Sequence, residues 1–184
     1  MSFSLVNRHV LEDHITGFET RPNPNHLAIL RRPAVLSVLV HAGHEQAVAA
    51  QLQAIGEASA RFAGPAEWLL VSDTVGAESL ARTVSGFAEG AVSYADQSDG
   101  RVVMRLSGPS VRRILAKCTA VDVHADQFAV GRAANVLFCH VGANLSRVDA
   151  DSFEIAVMRS FAGSVFHEVM EMGREFALTA DFAA

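Results

Sequence analysis

Residues 152–173, SFEIAVMRSFAGSVFHEVMEMG, decide how the fold is read. The first seven crowd aromatic and β-branched side chains as a strand does, and the rest repeat apolar residues three and four apart as a helix does. On a wheel of about 100° per residue, Phe161, Val165, Phe166, Val169, Met170, Met172, Phe176 and Ala177 share one half. His167, Glu168, Glu171, Arg174 and Glu175 fill the other. The stretch predicts a strand over 152–158 feeding an amphipathic closing helix over 161–178. An echo lies upstream in EWLLVSDTVGAESLARTVSGF, residues 67–87, again an aromatic-led strand followed by a helix.

Working outward, AVLSVLV (34–40) reads as a buried strand, and Val48, Leu52 and Ile55 repeat at helical spacing after Gly43. AVSYADQ (91–97) and RVVMRLS (101–107) read as strands paired across the turn Ser98, Asp99, Gly100. Pro109 opens a short helix to Ala116, and strands are expected around 133–141 and 143–148. Residues 1–32 hold Pro22 and Pro24, with Pro33 next, and show little periodicity, so they read as an N-terminal arm. The expectation is an α+β fold: a single domain over 33–184 made of two pseudo-repeated halves, about 33–99 and 100–184, each an antiparallel sheet with packed helices.

Half of the 184 residues are apolar, ample for a core, and the formal charge is -5. That balance, with Lys117 the one lysine among 15 cations, excludes the broad basic footprint of a nucleic-acid binder. The longest apolar run, 34–40, is far short of a membrane span, and Glu12 and Asp13 interrupt the N-terminus before any signal-like core develops. Cys118 and Cys139 stand 21 positions apart without a C-x-x-C pattern and read as reduced thiols. These features predict a cytoplasmic protein.

Candidate chemistry was weighed residue by residue. His167-Glu168-x-x-Glu171 is one residue from the H-E-x-x-H zinc motif. His167 and Glu171 share a face, but it is the polar side of the helix, and no third ligand element is evident; the pattern predicts no structural metal and a pairing of Glu171 with Arg174. His44 and Glu45 open another helix with no ligand at i+4. Asp122, His124 and Asp126 alternate as a metal or general-base set would in a strand, yet Asp and His after a helix more often serve a turn. Cys118 has Lys117 and His124 nearby in sequence, which would lower its pKa, against a default role as a small core residue. No catalytic residue is assigned.

Charge is segregated along the chain. Residues 100–148 carry seven cations against Asp122 and Asp126, while the flanking segments are acidic. Arg112, Arg113 and Lys117 sit on one short helix, with Arg113 and Lys117 a turn apart, and form a candidate dock for an acidic partner surface.

The order Gly108-Pro109, Ile114-Leu115, Val121-Asp122-Val123, Phe128 and Gly131 resembles the aminomethyltransferase folate-binding fold. Asp151-Ser152-Phe153-Glu154-Ile155, Val157 and Arg159-Ser160-Phe161-Ala162 resemble a narrower family, the gamma subunit of heterotetrameric sarcosine oxidase. The likeness extends over 34–178, with its specific part in 105–177. It implies an accessory subunit of a complex that oxidises sarcosine to glycine, passing the methyl carbon to tetrahydrofolate and electrons to oxygen. It implies alpha, beta and delta subunits as partners, with FAD, FMN, NAD and tetrahydrofolate carried on those subunits and none here. The lack of any G-x-G-x-x-G after a strand agrees with that division. The alternatives are a small independent folate-dependent methyl carrier, using the groove between the halves with Asp122 as acid or base, and a folate-fold binding module.

Overall fold

Strand 152–158 alternates Phe153, Ile155 and Val157 with Glu154 and Ala156, and all five are buried, so both faces of this strand are covered. A computed structural model, which describes residues 8–183, shows what covers them. The described strands are β1 (His26–Ile29), β2 (Ala34–Val40), β3 (Ser59–Gly64), β4 (Glu67–Ser72), β5 (Val92–Asp96), β6 (Arg101–Ser107), β7 (Ala133–Phe138), β8 (Val141–Asp149), β9 (Ser152–Met158) and β10 (Thr179–Phe182). The helices are α1 (Glu45–Gln53), α2 (Ala77–Ser85), α3 (Val111–Cys118) and α4 (Ala162–Gly173).

One sheet runs β3-β4-β2-β5 and the other β10-β1-β6-β9-β8-β7. Phe153, Ile155 and Val157 pack under α3 and α4 with Ile114, Leu115, Val165, Phe166 and Val169. On the smaller sheet Leu36, Val38 and Leu70 pack under α1 and α2 with Val48, Leu52, Leu80 and Val84. The remaining faces meet: Val35, Leu69 and Val71 of the small sheet contact Val103 and Ala156 of the large one. The result is four layers, with helices outside and two sheets within.

The echo in the sequence is a topological repeat. Residues 34–96 run β2-α1-β3-β4-α2-β5, and residues 101–182 run β6-α3-β7-β8-β9-α4-β10, the same βαββαβ unit with one extra strand. In the smaller unit β4 lies beside the first strand, β2, and β5 on its other side; in the larger, β9 lies beside the first strand, β6, and β10 on its other side with β1 intervening. There β1 lies antiparallel to β6 and parallel to β10.

That insertion corrects the reading of residues 1–32 as an arm. Leu27 and Ile29 are fully buried between two strands, and Leu11 is buried in the same core. Prolines 22 and 24 lie before the strand rather than in it; residues 1–7 fall outside the described residues. The expected hairpin of 91–97 with 101–107 is a second correction. The turn exists, with Gly100 N donating to Gln97 O at 2.9 Å, but β5 pairs with β2 and β6 with β1 and β9. The turn is the crossing point between sheets.

The closing helix is shorter than its periodicity predicts. It ends at Gly173, Arg174–Phe176 form a 3-10 turn, and Ala177 takes a left-handed φ of 50°, which sends the chain into β10. Leu178 N donates to Gly173 O at 3.2 Å. Phe161, expected on the buried side, lies in the preceding 3-10 turn and is exposed. At the start of the larger unit Gly108 has φ +125°, and a Cβ there would lie 2.1 Å from Pro24 O, so only glycine lets α3 begin against the entry to β1.

Candidate functional site

The titratable residues that the fold brings together lie in the seam between the sheets. Glu154 on β9 and Arg105 on β6 are cross-strand partners, and both point into the seam. Arg105 Nε donates to Glu154 Oε1 at 2.7 Å, and its Nη2 lies 3.0 Å from Asp73 Oδ2 beyond the end of β4. From the opposite sheet Arg61 on β3 places Nη2 on Glu154 Oε2 and Nε 3.3 Å from Ser59 Oγ. Arg61 and Glu154 are 1% and 3% exposed at their side chains, so the pair is taken out of water. Burial pulls the Arg61 pKa down against the opposing pull of Glu154. Burial acts the same way on Arg105, but Glu154 and Asp73 outweigh it and raise its pKa.

Beside this ionic set runs an amide clasp. Asn144 Nδ2 donates to Phe62 O at 3.0 Å and to Asn135 Oδ1 at 2.9 Å, and Asn135 Nδ2 donates to Ala63 O. The amides come from β8 and β7; the carbonyls belong to β3, an edge strand whose backbone would otherwise face an unpaired side. The centre of the seam is thus occupied by packed aliphatic residues, the arginine–glutamate pair and the amides. A cleft of about 340 Å³ opens along one side of it, lined by Asp73 and Arg105 and reaching the Arg61–Glu154 pair.

The residues singled out by sequence do not converge there. His167 and Glu171 lie on the exposed side of α4, and Glu171 pairs with Arg174 as expected. His167 Nε2 instead meets His14 Nδ1 at 3.0 Å, a contact from the N-terminal segment that no spacing pattern could show. Asp122, His124 and Asp126 are exposed in a turn: Asp122 Oδ1 accepts from His124 N at 2.9 Å, and His124 Nδ1 from Asp126 N at 3.4 Å. Among the described residues no three His, Cys, Asp or Glu side chains gather as metal ligands.

Cys118 and Cys139 are brought together, with Cys139 N donating to Cys118 O at 2.8 Å. The thiol–thiol hydrogen bond and then burial push the Cys118 pKa up, and the nearby Lys117 does not reverse this, correcting the idea of an activated Cys118. The same bond lowers that of Cys139.

On α3 two of the three cations are already paired. Arg112 Nη1 lies 2.5 Å from Asp151 Oδ1, and Lys117 pairs with Glu175. Arg113 and Lys117 lie over the Phe176 ring at 4.6 and 5.0 Å, so much of their shared face is spent on holding α3 to the end of α4. The seam itself was missed by sequence reading. Its signal was a charged residue at an interior position of an apolar strand, twice, in SFEIAVM and RVVMRLS.

Residues 31–173 match the family model described as sarcosine oxidase, gamma subunit family. The chain is 28% identical over 144 residues to sarcosine oxidase subunit gamma of Corynebacterium sp. (strain P-1), covering 78% of this chain and 70% of that relative. It is 29% identical over 115 residues to the subunit gamma of strain U-96, covering 62% and 55%. Among solved structures, a chain of heterotetrameric sarcosine oxidase from Corynebacterium sp. U-96 in complex with pyrrole 2-carboxylate superposes with a TM-score of 0.77 at 23% identity, over 96% of this chain and 99% of that one. Aminomethyltransferase T of the glycine cleavage system from Bartonella henselae shares the fold with a TM-score of 0.57 at 14% identity, over 93% of this chain and 50% of that one. With the family model spanning more than three quarters of its length, the chain belongs to the sarcosine oxidase gamma subunit family.

Proposed function

We propose that this protein is an accessory, non-catalytic subunit of a cytoplasmic heterotetrameric sarcosine oxidase. Its partners are the alpha, beta and delta subunits, and FAD, FMN, NAD and tetrahydrofolate reside on those subunits. The observation that carries the reading is the packed seam: a buried Arg61–Glu154 pair and aliphatic side chains take up the centre of the space between the two halves. The methyl-carrier alternative needs that groove, and its proposed acid or base, Asp122, is committed to a turn. No helix among the described residues is long and apolar enough to cross a membrane.

A subunit held in a complex must offer surface to its partners, and both Leu137 on β7 and Phe62 on β3, the edge strand that β7 meets, are exposed. We assign this rim as a partner contact. Docking through α3 rests chiefly on Arg113, the one of its three cations without a carboxylate in ion-pair distance among the described residues.

Co-expression with the large subunits tests the reading. The tagged chain is expected to co-purify with them in equal amounts, while alone it is colourless and forms no hydrogen peroxide from sarcosine. A stoichiometric yellow chromophore or sarcosine oxidation by the pure chain overturns it. Leu137→Asp should lower co-purification without altering the fold by circular dichroism.

A further inference from the structure

Positive charge gathers at one place in this acidic protein, where the crossing between the sheets meets the N-terminal segment. A cleft of about 440 Å³ is lined there by five arginines, Arg8, Arg31, Arg32, Arg101 and Arg159, against three acids, Glu12, Asp96 and Asp99. That volume falls in the range of small-molecule sites, about 300–1,000 Å³.

Two of the three acids are engaged by neighbours, and Asp99 remains as a competing charge. Glu12 takes Arg8 at 3.0 Å and the His9 amide at 3.1 Å, and Asp96 Oδ1 accepts from Ser98 N at 2.9 Å and Ser98 Oγ at 2.6 Å. Arg8 is further paired with Asp13 at 2.7 Å. The other four arginines have no carboxylate within ion-pair distance among the described residues.

Their stems are held. Arg101 Nε is anchored on Gln97 Oε1 at 2.7 Å, Arg31 stacks over Phe182 at 4.4 Å, and Arg159 Nη2 reaches Arg8 O at 3.4 Å. Besides burial, the fields of Arg159 and Arg31 push the His9 imidazole pKa down, which places both cations close to the same wall. Into this cleft opens the N-terminus of α2, a nine-residue helix whose Gly76 cap makes no side-chain hydrogen bond. Ser79 N and Leu80 N are bonded to Gly76 O, so Gly76 and Ala77 are what this helix end brings to the cleft, with the positive end of its dipole.

Several planar guanidinium forks lining one cleft beside a helix N-terminus match the tetrahedral oxygens of a phosphate better than a lone carboxylate. We propose that this cleft binds the phosphate groups of a phosphorylated small molecule. The site belongs to this chain alone and lies apart from the seam, so the accessory-subunit reading stands or falls independently of it.

The test is calorimetric titration of the full chain with inorganic pyrophosphate, and in parallel with inorganic phosphate, in chloride buffer of fixed ionic strength so that general screening is constant. One-site saturable binding is expected, weakened at least about tenfold by Arg32→Gln with Arg159→Gln and unchanged by Arg21→Gln with Arg174→Gln. Near-UV circular dichroism checks that the variants fold; should the arginine pair fail to fold, Asp99→Asn, which removes a competing charge, must tighten binding. The absence of saturation below about 5 mM, or equal weakening by the Arg21 and Arg174 control pair, overturns the proposal. So does a third outcome, in which pyrophosphate does not bind but the arginine variants lose the large subunits, because the cleft is then a seat for a partner's acidic residues.

Discussion

The two faces of the six-stranded sheet are built on different principles. Toward α3 and α4, Phe153, Ile155, Val157, Met104 and Leu145 make an apolar face held by area removed from water. Toward the second sheet, the same strands present Glu154, Arg105, Asn144 and Ser146, with Val103 and Ala156 as the apolar remainder. The difference teaches how this chain divides its labour. Area on the outer face tolerates small slides of a helix, because dispersion and burial are non-directional. The seam fixes a geometry more tightly, because the bonds of Arg61 to Glu154 and of the amide clasp are directional, although Arg61 Nη1 and Asn144 Oδ1 have no partner among the described residues.

Breaking the seam's ion pair should have the largest effect. Glu154→Ala strands Arg61 without a counter-charge and is expected to cost about 3–5 kcal/mol in urea unfolding, while Arg61→Met with Glu154→Leu should restore most of it. If the double variant is as unstable as the single one, the pair does more than balance its own desolvation. On the other face Ile155→Ala is expected to cost about 3 kcal/mol through a cavity, with no second substitution that rescues it by removing a charge. Smaller again is Asn144→Ala, at about 1 kcal/mol, since it removes the bonds to the part-buried Phe62 O and to Asn135 Oδ1. That variant also bares the edge of β3, and light scattering should report increased self-association; an unchanged monomer would show that the clasp serves stability alone.

The mildest effect concerns pH and the N-terminal strand. Burial lowers the pKa of His26, and burial followed by Arg159 lowers that of His9. Above the unfolded imidazole value of about 6.5, both states are neutral and stability is full. As pH falls through that value the unfolded rings take up protons before the folded ones, so stability drops and then levels off below the folded values. His26→Gln should flatten the slope of urea midpoint against pH between about 7 and 5. An unaltered slope would assign it to other groups.

Long amphipathic elements were legible from pattern alone. AVLSVLV is β2, and apart from Met158 and Phe161 at the junction the large apolar residues of 152–173 are those that β9 and α4 turn to the core, because a strand and a helix each impose a period that the core must match. Short strands were not: HLAI, SARFAG and TADF are too brief to show a period, and become strands because neighbours offer them hydrogen bonds. The turn at Ser98–Gly100 was visible, yet turn chemistry specifies only that the chain bends, so the departure of β5 and β6 into different sheets was not.

By itself the sequence determined the class of fold, the repeated unit, the outward face of each main helix and, through local motifs in 105–177, the family. All of these rest on neighbours within a few turns or residues of one another. Tertiary structure alone decided that Arg61, 93 positions from Glu154, would face it in a seam, that His14 would meet His167, and that arginines from the two ends of the chain would line one cleft. Charge pairing acts through space over a few ångströms, and separation along the chain carries no record of that distance.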